Sequence, residues 1–382
     1  MKHITIIGAG FGALSTVREL RRHDKHSEIT LVSSRAELIY LPSLIWIPSR
    51  VRRTDDLRID LSGFFETHRV RHVAARAIGL ENGGRRVLTD TGESLDNDGL
   101  VIASGGRFLK KLPGIEHAIT LCEGIDAARS IRDRLSQMEG GTIALGFGAN
   151  PKEPQAVRGG PMFELMFGLD TLLRRQRRRE RFKLVFFNGS PRPGARLGER
   201  AVDGLLREMQ RRDIEARLGH KPVRFEADRV VTEEGEFAAD LILFMPGMSG
   251  PDWAGESGLP LSPGGLIQAD EHTRVAGVER VYVVGDSGSF PGPDWMPKQA
   301  HMADLQAVAA ARNLLAELDG RPVQETFKTE LVCIIDTLEK GILVYRSPKR
   351  TLILPACRLF HWLKRAFEHH YLALYRKPKP PR

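Results

Sequence analysis

A chain of 382 residues, 41% hydrophobic and with 38 glycines, has the apolar surface for two or three domains of a glycine-turned α/β protein. Three cysteines (Cys122, Cys333 and Cys357) exclude a disulfide framework and point to a reducing compartment, and no apolar run reaches the ~18 residues of a spanning helix. The net charge of +9 is local: residues 343–382 carry ten Lys and Arg against one acid, Glu368, and the rest of the chain sums to zero. This argues against a nucleic-acid face spread over the body and for an anionic partner at the C-terminal end.

In chain order, Met1-Lys2-His3 leads directly into an apolar run, so no signal peptide is expected. Ile4, Ile6 and Ile7 predict a buried strand that ends in Gly8-Ala-Gly10-Phe-Gly12-Ala13. Leu14–Leu20 has helical spacing, and Ile29-Thr-Leu-Val32 closes a βαβ unit. In this context Gly-x-Gly-x-x-Gly/Ala means dinucleotide binding. Gly8 permits the turn, Gly10 lets a pyrophosphate approach, and Ala13 lets the helix pack on the strand. The helix N-terminus offers unpaired N–H groups to the phosphates. The acid that usually ends the second strand and holds the ribose is absent. The chain reads Val32-Ser33-Ser34, so the contact falls to a serine, to Glu37 from the loop, or to water.

Leu38–Trp46 is an apolar loop that either packs over something flat or joins the core. Strand-like segments follow, the last being Gly99-Leu-Val-Ile-Ala103-Ser104-Gly105. From about Leu112 to Leu261 a second α/β unit is expected. It comprises helices over Asp126–Met138, Met162–Arg175 and Ala201–Arg212, and strands at Thr142–Gly148, Phe182–Phe187 and Ala239–Phe244. The basic run Arg174–Arg181 suits a solvated helix end better than a nucleic-acid patch. Arg280–Gly285-Asp286 is another strand ending in Gly-Asp, and Pro297-Lys298 opens a long helix with proline in its first turn. A hairpin about Ser347–Arg350 follows. The chain then ends in an amphipathic stretch with Leu359, Trp362, Phe367, Tyr371 and Leu374 at helical spacing, closed by Pro378, Pro380 and Pro381. That stretch reads either as a core helix with a basic outer face or as a monotopic membrane helix, the latter favoured by the charge count. Cys357 within it reads as a small buried hydrophobe.

Gly8-x-Gly10, Ala103-Ser104-Gly105 and Gly285-Asp286 together have the layout of the flavoprotein disulfide reductases. The resemblance implies two Rossmann-like domains. An FAD domain (1–111 and 262–325) is interrupted by a second nucleotide-type domain (112–261), and a hairpin and membrane-associating helix follow (326–382). Within that class the chain resembles the sulfide:quinone oxidoreductases and their flavocytochrome relatives. The resemblance is carried by Pro42-Ser43, Cys122 after Pro113-Gly114, Gly160-Pro-Met-Phe-Glu164, Pro297-Lys298, and Leu331-Val-Cys333-Ile-Ile-Asp336. It implies FAD held by Gly8, Gly10, Gly12, Ala13, Ser33, Ser34, Pro42, Ala103, Ser104, Gly105, Gly285, Asp286, Pro297 and Lys298. It implies a small sulfur donor, a membrane quinone, and a peripheral place on an anionic cytoplasmic-membrane surface, cytoplasmic face. Homo-oligomerisation is left open.

One departure stands out. The family carries a further cysteine two residues before Gly160-Pro161, and with the late cysteine it forms the redox pair. Here Arg158 holds that place, and an arginine can form no disulfide. The candidate catalytic residues are therefore Cys333, Cys122 and Arg158. Arg158 is expected to attract an anionic substrate or to lower the pKa of Cys333. The family implies that Cys122 can also carry a covalent link to FAD. A nicotinamide site in the second domain looks disabled, because Pro151 and Pro154 delay the helix after Gly146-Phe-Gly148 to about Gly160. Arg192 and Arg196 remain as candidates to hold a 2′-phosphate. An NAD(P)H:quinone oxidoreductase and a non-catalytic FAD-binding membrane protein are the alternative readings.

Overall fold

The computed structural model describes residues 1–378; Pro380 and Pro381 lie outside the described residues. The first βαβ unit forms where the sequence places it: strand His3–Ile7, helix Phe11–His23, strand Glu28–Ser33. The isoleucines and Leu31 are buried, and Ala13, Leu14 and Val17 supply the inner face of the helix. Five parallel strands make the first sheet, in the order Val281–Val283, Gly99–Ile102, His3–Ile7, Glu28–Ser33, Val70–Ala74. A late segment thus pairs beside an early one. The long helix Ala300–Leu318 returns to pack on Phe11–His23.

The second sheet is also five-stranded and parallel: Ala118–Ile119, Leu241–Met245, Gly141–Phe147, Phe182–Asn188, Glu215–Leu218. Its central strands are almost wholly buried, as expected of strands covered on both faces. Helices Ile125–Gln137, Gly160–Arg175 and Glu199–Arg211 complete this unit. A three-stranded antiparallel sheet (Leu331–Asp336, Gly341–Ser347, Arg350–Cys357) then leads into the C-terminal helix Arg358–Arg376.

One sequence expectation changes and two open ones are decided. Pro297 and Lys298 lie before the long helix, which starts at Ala300 with Gln299 as N-cap. The buried Lys298 ammonium is tied to the carbonyls of Gly285 and Gly288, and this holds the segment extended. The apolar loop after Ile39 folds as a 3-10 segment, Leu41–Trp46, and its Leu44, Ile45 and Trp46 are core. In the arginine run, Arg174 and Arg179 turn inward with Arg212 onto the fully buried Asp170, at 3.0, 2.7 and 2.9 Å. Those charges bind the helix end to its neighbours, which disposes of an open basic patch there.

Candidate flavin and thiol site

Three of the motifs end neighbouring parallel strands of the first sheet, so they meet at one edge. Gly8 has φ +112°, and a Cβ there would lie 2.3 Å from the Ala103 carbonyl oxygen. Only glycine lets the two strand ends approach this closely. Gly12 faces Val284, at whose Cγ2 an added Cβ would arrive at 2.8 Å. Close helix-to-strand packing is therefore made at Gly12, with Ala13 fully buried beside it. An added Cβ at Gly10 meets nothing within 4 Å. The space before the helix N-terminus is open, and that terminus carries no side-chain cap. Gly105 is likewise open, at φ +78°.

Asp286 lies in a short 3-10 segment, Gly285–Ser287, beside this space. Ser287 Oγ donates to the Gly105 carbonyl at 3.0 Å, and Ser104 Oγ lies 3.5 Å from Ser287 Oγ. Gln306 Oε1 accepts the Gly285 N–H at 2.8 Å. Gln299, the N-cap of the long helix, keeps a buried side-chain oxygen without a partner. On the ribose side, Ser33 Oγ donates to the Arg35 carbonyl at 2.9 Å and lies 3.0 Å from His72 Nε2. Glu37 is paired with Arg35 and Arg58. Ser34 is exposed, and Pro42 lies in the first turn of the 3-10 segment Leu41–Trp46.

The thiols have different neighbours. Cys122 sits in the 3-10 turn Leu121–Glu123, just ahead of the helix that begins at Ile125. Burial raises its pKa, and a hydrogen bond and charge from Arg158 oppose this. Arg158 also forms a close ion pair with Asp286. Burial works against the Arg158 charge, but Asp286 and Cys122 leave its pKa raised. Cys333 lies on the strand Leu331–Asp336, where burial pushes its pKa up to about 12; Glu164 adds to the rise and Lys364 opposes it. This corrects the expectation that Arg158 lowers the pKa of Cys333. Arg158 acts on Cys122 and Asp286, and both cysteines are free thiols.

Around Cys333 lies a polar network that sequence reading did not assemble. Lys364 of the C-terminal helix pairs with Glu164 and donates to the Ile334 carbonyl at 3.2 Å. Glu164 accepts the Asp336 N–H at 3.1 Å. Asp336 in turn accepts from Trp46 Nε1 at 3.1 Å and pairs with His361 Nδ1 at 2.6 Å. Arg52 reaches Glu368 and lies 5.3 Å over the Trp46 ring. The opposite face of the same helix is open: Leu359, Trp362, Leu363 and Phe367 are 61%, 60%, 46% and 57% exposed.

Residues 2–307 match the family model described as pyridine nucleotide-disulphide oxidoreductase. The chain belongs to that family. It is similar to the sulfide-quinone reductase of Aquifex aeolicus, 23% identical over 394 residues, which span 97% of this chain and 90% of that protein. The solved sulfide:quinone oxidoreductase of Aquifex aeolicus superimposes with a TM-score of 0.89 at 21% identity, covering 98% of this chain and 92% of that one. An NADH dehydrogenase-like protein of Mycobacterium tuberculosis is 25% identical over 301 residues, 75% of this chain and 72% of that protein. The chain is an FAD-dependent oxidoreductase, like sulfide:quinone oxidoreductase in its two-Rossmann fold. The residues present fit the flavin nucleotide. Gly8 and Gly10 leave an uncapped helix end facing free space, Gly105 borders it, and Gln299 offers an unused oxygen.

Proposed function

We propose that the protein is a peripheral membrane enzyme that oxidises sulfide or a related small sulfur donor and reduces a membrane quinone. Held at this site, FAD supplies the two-electron chemistry that couples the half-reactions. Gly8, Gly10, Gly12 and Ala13 shape its pyrophosphate cradle, and Ser33, Ser34, Pro42, Ala103–Gly105, Gly285, Asp286, Pro297 and Lys298 line the remainder. Cys333 is the reacting thiol in this reading. Cys122 and Arg158 form a unit with Asp286, in which Arg158 supplies fixed positive charge. The division into 1–111, 112–261, 262–325 and 326–382 belongs to the same proposal.

One observation carries the reading. A single helix, Arg358–Arg376, reaches the surroundings of Cys333 with Lys364 and turns four large apolar side chains outward. Such a helix suits a protein that lies on a lipid surface and takes an apolar acceptor there. No helix among the described residues is long and apolar enough to cross a membrane. The half-buried Cys333 thiol, held neutral by its surroundings, would be activated by Lys364, the one neighbour that opposes the rise in its pKa.

The nicotinamide reading is weakened by the second domain. After the strand ends at Phe147 the helix does not begin until Gly160. The intervening chain is tied to its neighbours: Asn150 Nδ2 donates to the carbonyls of Met248 and Gly264 at 2.8 and 2.9 Å, and Ala149 packs on Gly247. Arg192 is paired with Asp203 at 2.7 Å in an exposed ion pair, so a 2′-phosphate would have to compete with that acid. The test is anaerobic mixing of the purified protein with sulfide and, separately, with NADH. Flavin bleaching by sulfide, lost in Cys333→Ser, is expected. Bleaching by NADH alone would replace the reading, and bleaching by neither would favour a non-catalytic flavoprotein.

A further inference from the structure

The direction of a bound dinucleotide follows from the strand order of the first sheet. Ser33, on the ribose side, ends the strand Glu28–Ser33, and the glycine turn Gly8–Gly10 ends its neighbour His3–Ile7. Next come Gly99–Ile102, which runs into Ala103–Gly105, and Val281–Val283, which runs into Gly285–Asp286. A dinucleotide laid from Ser33 across the glycine turn sends its far half toward Asp286, three strand spacings away, about 14 Å. In FAD that half carries the flavin ring.

Asp286 is met there from the second domain. Arg158 lies between the strand Gly141–Phe147 and the helix Gly160–Arg175, and its Nη2 donates to Asp286 Oδ2 in a close ion pair. Among the described residues this is the only ion pair that Asp286 makes. The two side chains are 16% and 17% exposed, so salt and solvent screen them little. The Arg158 charge also acts on Cys122. Lys298 is a second cation near Asp286, but its ammonium is held by the carbonyls of Gly285 and Gly288, with Glu153 near enough to offset it. Arg158 therefore governs the charge at this end of the cradle. With it Asp286 is neutralised; without it a bare carboxylate borders the space.

We propose that Arg158 is a positioning residue that sets the reduction potential of the flavin. Uptake of two electrons and one proton leaves the flavin ring with one negative charge. Arg158, fixed on Asp286, favours that charge and offsets the carboxylate that opposes it. The electrons come from the donor of the oxidoreductase cycle and leave to its acceptor, and Arg158 is neither oxidised nor deprotonated. At the position where the sulfide:quinone oxidoreductases resembled by this chain carry a thiol, the chain thus places electrostatic help. The inference rests on the flavin placement proposed above and not on the identity of donor or acceptor.

The experiment uses the flavin-loaded full-length protein at pH 7. The potential is measured by anaerobic equilibration with reference dyes, and the FAD dissociation constant by reconstitution. Arg158→Met should weaken binding of reduced FAD relative to oxidised FAD by about tenfold or more, a downward shift of at least about 30 mV. Arg158→Lys keeps the charge and should stay within about twofold of wild type. Asp286→Asn should move the potential the other way by about tenfold, and the double variant with Arg158→Met should return to within about twofold. A purely structural Arg158 would lower the affinity for both flavin forms alike and leave the potential unmoved, which overturns the proposal. If Arg158→Met loses its flavin, Asp286→Asn and Arg158→Lys decide. An upward shift in the first with none in the second supports the tuning, and an unmoved or lowered potential in Asp286→Asn overturns it. Gly10→Val separates the two levels: colourless Gly10→Val with an unmoved potential in Arg158→Met overturns the tuning alone, whereas yellow Gly10→Val overturns the flavin placement and the tuning with it.

Discussion

Replacing Asp304 by asparagine should stabilise the protein at alkaline pH and lose that advantage in acid. Asp304 lies in the second turn of the long helix, where it accepts from Ser15 Oγ at 2.6 Å and from Tyr371 Oη at 3.1 and 3.2 Å. Burial raises its pKa from 3.8 to about 6; the Ser15 and Tyr371 hydrogen bonds and the charges of His301 and Arg18 pull the other way. The folded state therefore holds this proton more tightly than the unfolded chain does. Below the unfolded value both states are protonated and the site costs nothing. As pH rises through about 6 the folded protein must keep a desolvated carboxylate, and stability is lost. A rise of roughly two units, at about 1.4 kcal/mol each, makes the full cost about 3 kcal/mol above pH 7. Asparagine removes the charge but keeps one acceptor, so about 1 kcal/mol of hydrogen bonding is forfeited. The expected net gain is about 2 kcal/mol at pH 8, falling to zero or below at pH 4. Urea unfolding followed by tryptophan fluorescence from pH 4 to 8 measures it. A difference that stays flat across that range, or a variant weaker than wild type at pH 8, would refute the desolvation argument.

The other predictions concern the network, the outer face and the cradle. Lys364→Met strands Glu164 in the interior and should cost about 3–5 kcal/mol, whereas Lys364→Met with Glu164→Gln should recover at least half; equal losses in denaturant titrations would show that the pair is not coupled. Trp362→Ser with Phe367→Ser should abolish binding to anionic vesicles at unchanged melting temperature, and salt should weaken wild-type binding; a double variant that still co-sediments would remove the anchor. Gly10→Val should fold but carry no flavin absorbance, since nothing within 4 Å resists the side chain except the ligand. A yellow Gly10→Val protein would place the nucleotide elsewhere.

The first βαβ unit was readable almost to the residue because its signals are local: a period-two run, a glycine turn and a helical stripe lie within thirty positions. The start of the helix after Pro297 is misleading for an equally local reason. A proline three positions before the first helical residue imitates a first-turn proline, and nothing nearby announces that Lys298 is tied to carbonyls ten and thirteen residues away. The network around Cys333 left no trace in any window. Trp46, Glu164, Asp336, His361 and Lys364 come from four stretches of chain, and each alone is an ordinary residue for its element. Arg158 shows in the sequence only as a departure from a pattern, which carries no information about its neighbours: its charge lies beside Cys122 and Asp286, not beside Cys333.

The C-terminal helix shows why composition could not choose between core and membrane. It is both. His361, Glu368, Tyr371, Leu372 and Tyr375 are buried against the body, while Leu359, Trp362, Leu363 and Phe367 face outward. Removing residues 355–382 would therefore uncover Asp336, Arg52 and Glu164 as well as take away the exposed apolar face, and a soluble truncated protein would prove nothing about lipid. The basic excess must be discounted in the same way. Lys364 is spent on Glu164, Arg346 on the carbonyls of Ala195 and Arg196, and Arg376 on that of Asp56. Arg365 instead lies 5.1 Å over the exposed Trp362 ring, where a cation and an aromatic share the outward face. A salt titration of vesicle binding thus reads the charges that the fold has left unpaired, a smaller set than the sequence count, and its slope should change with Arg365→Gln but not with Arg346→Gln.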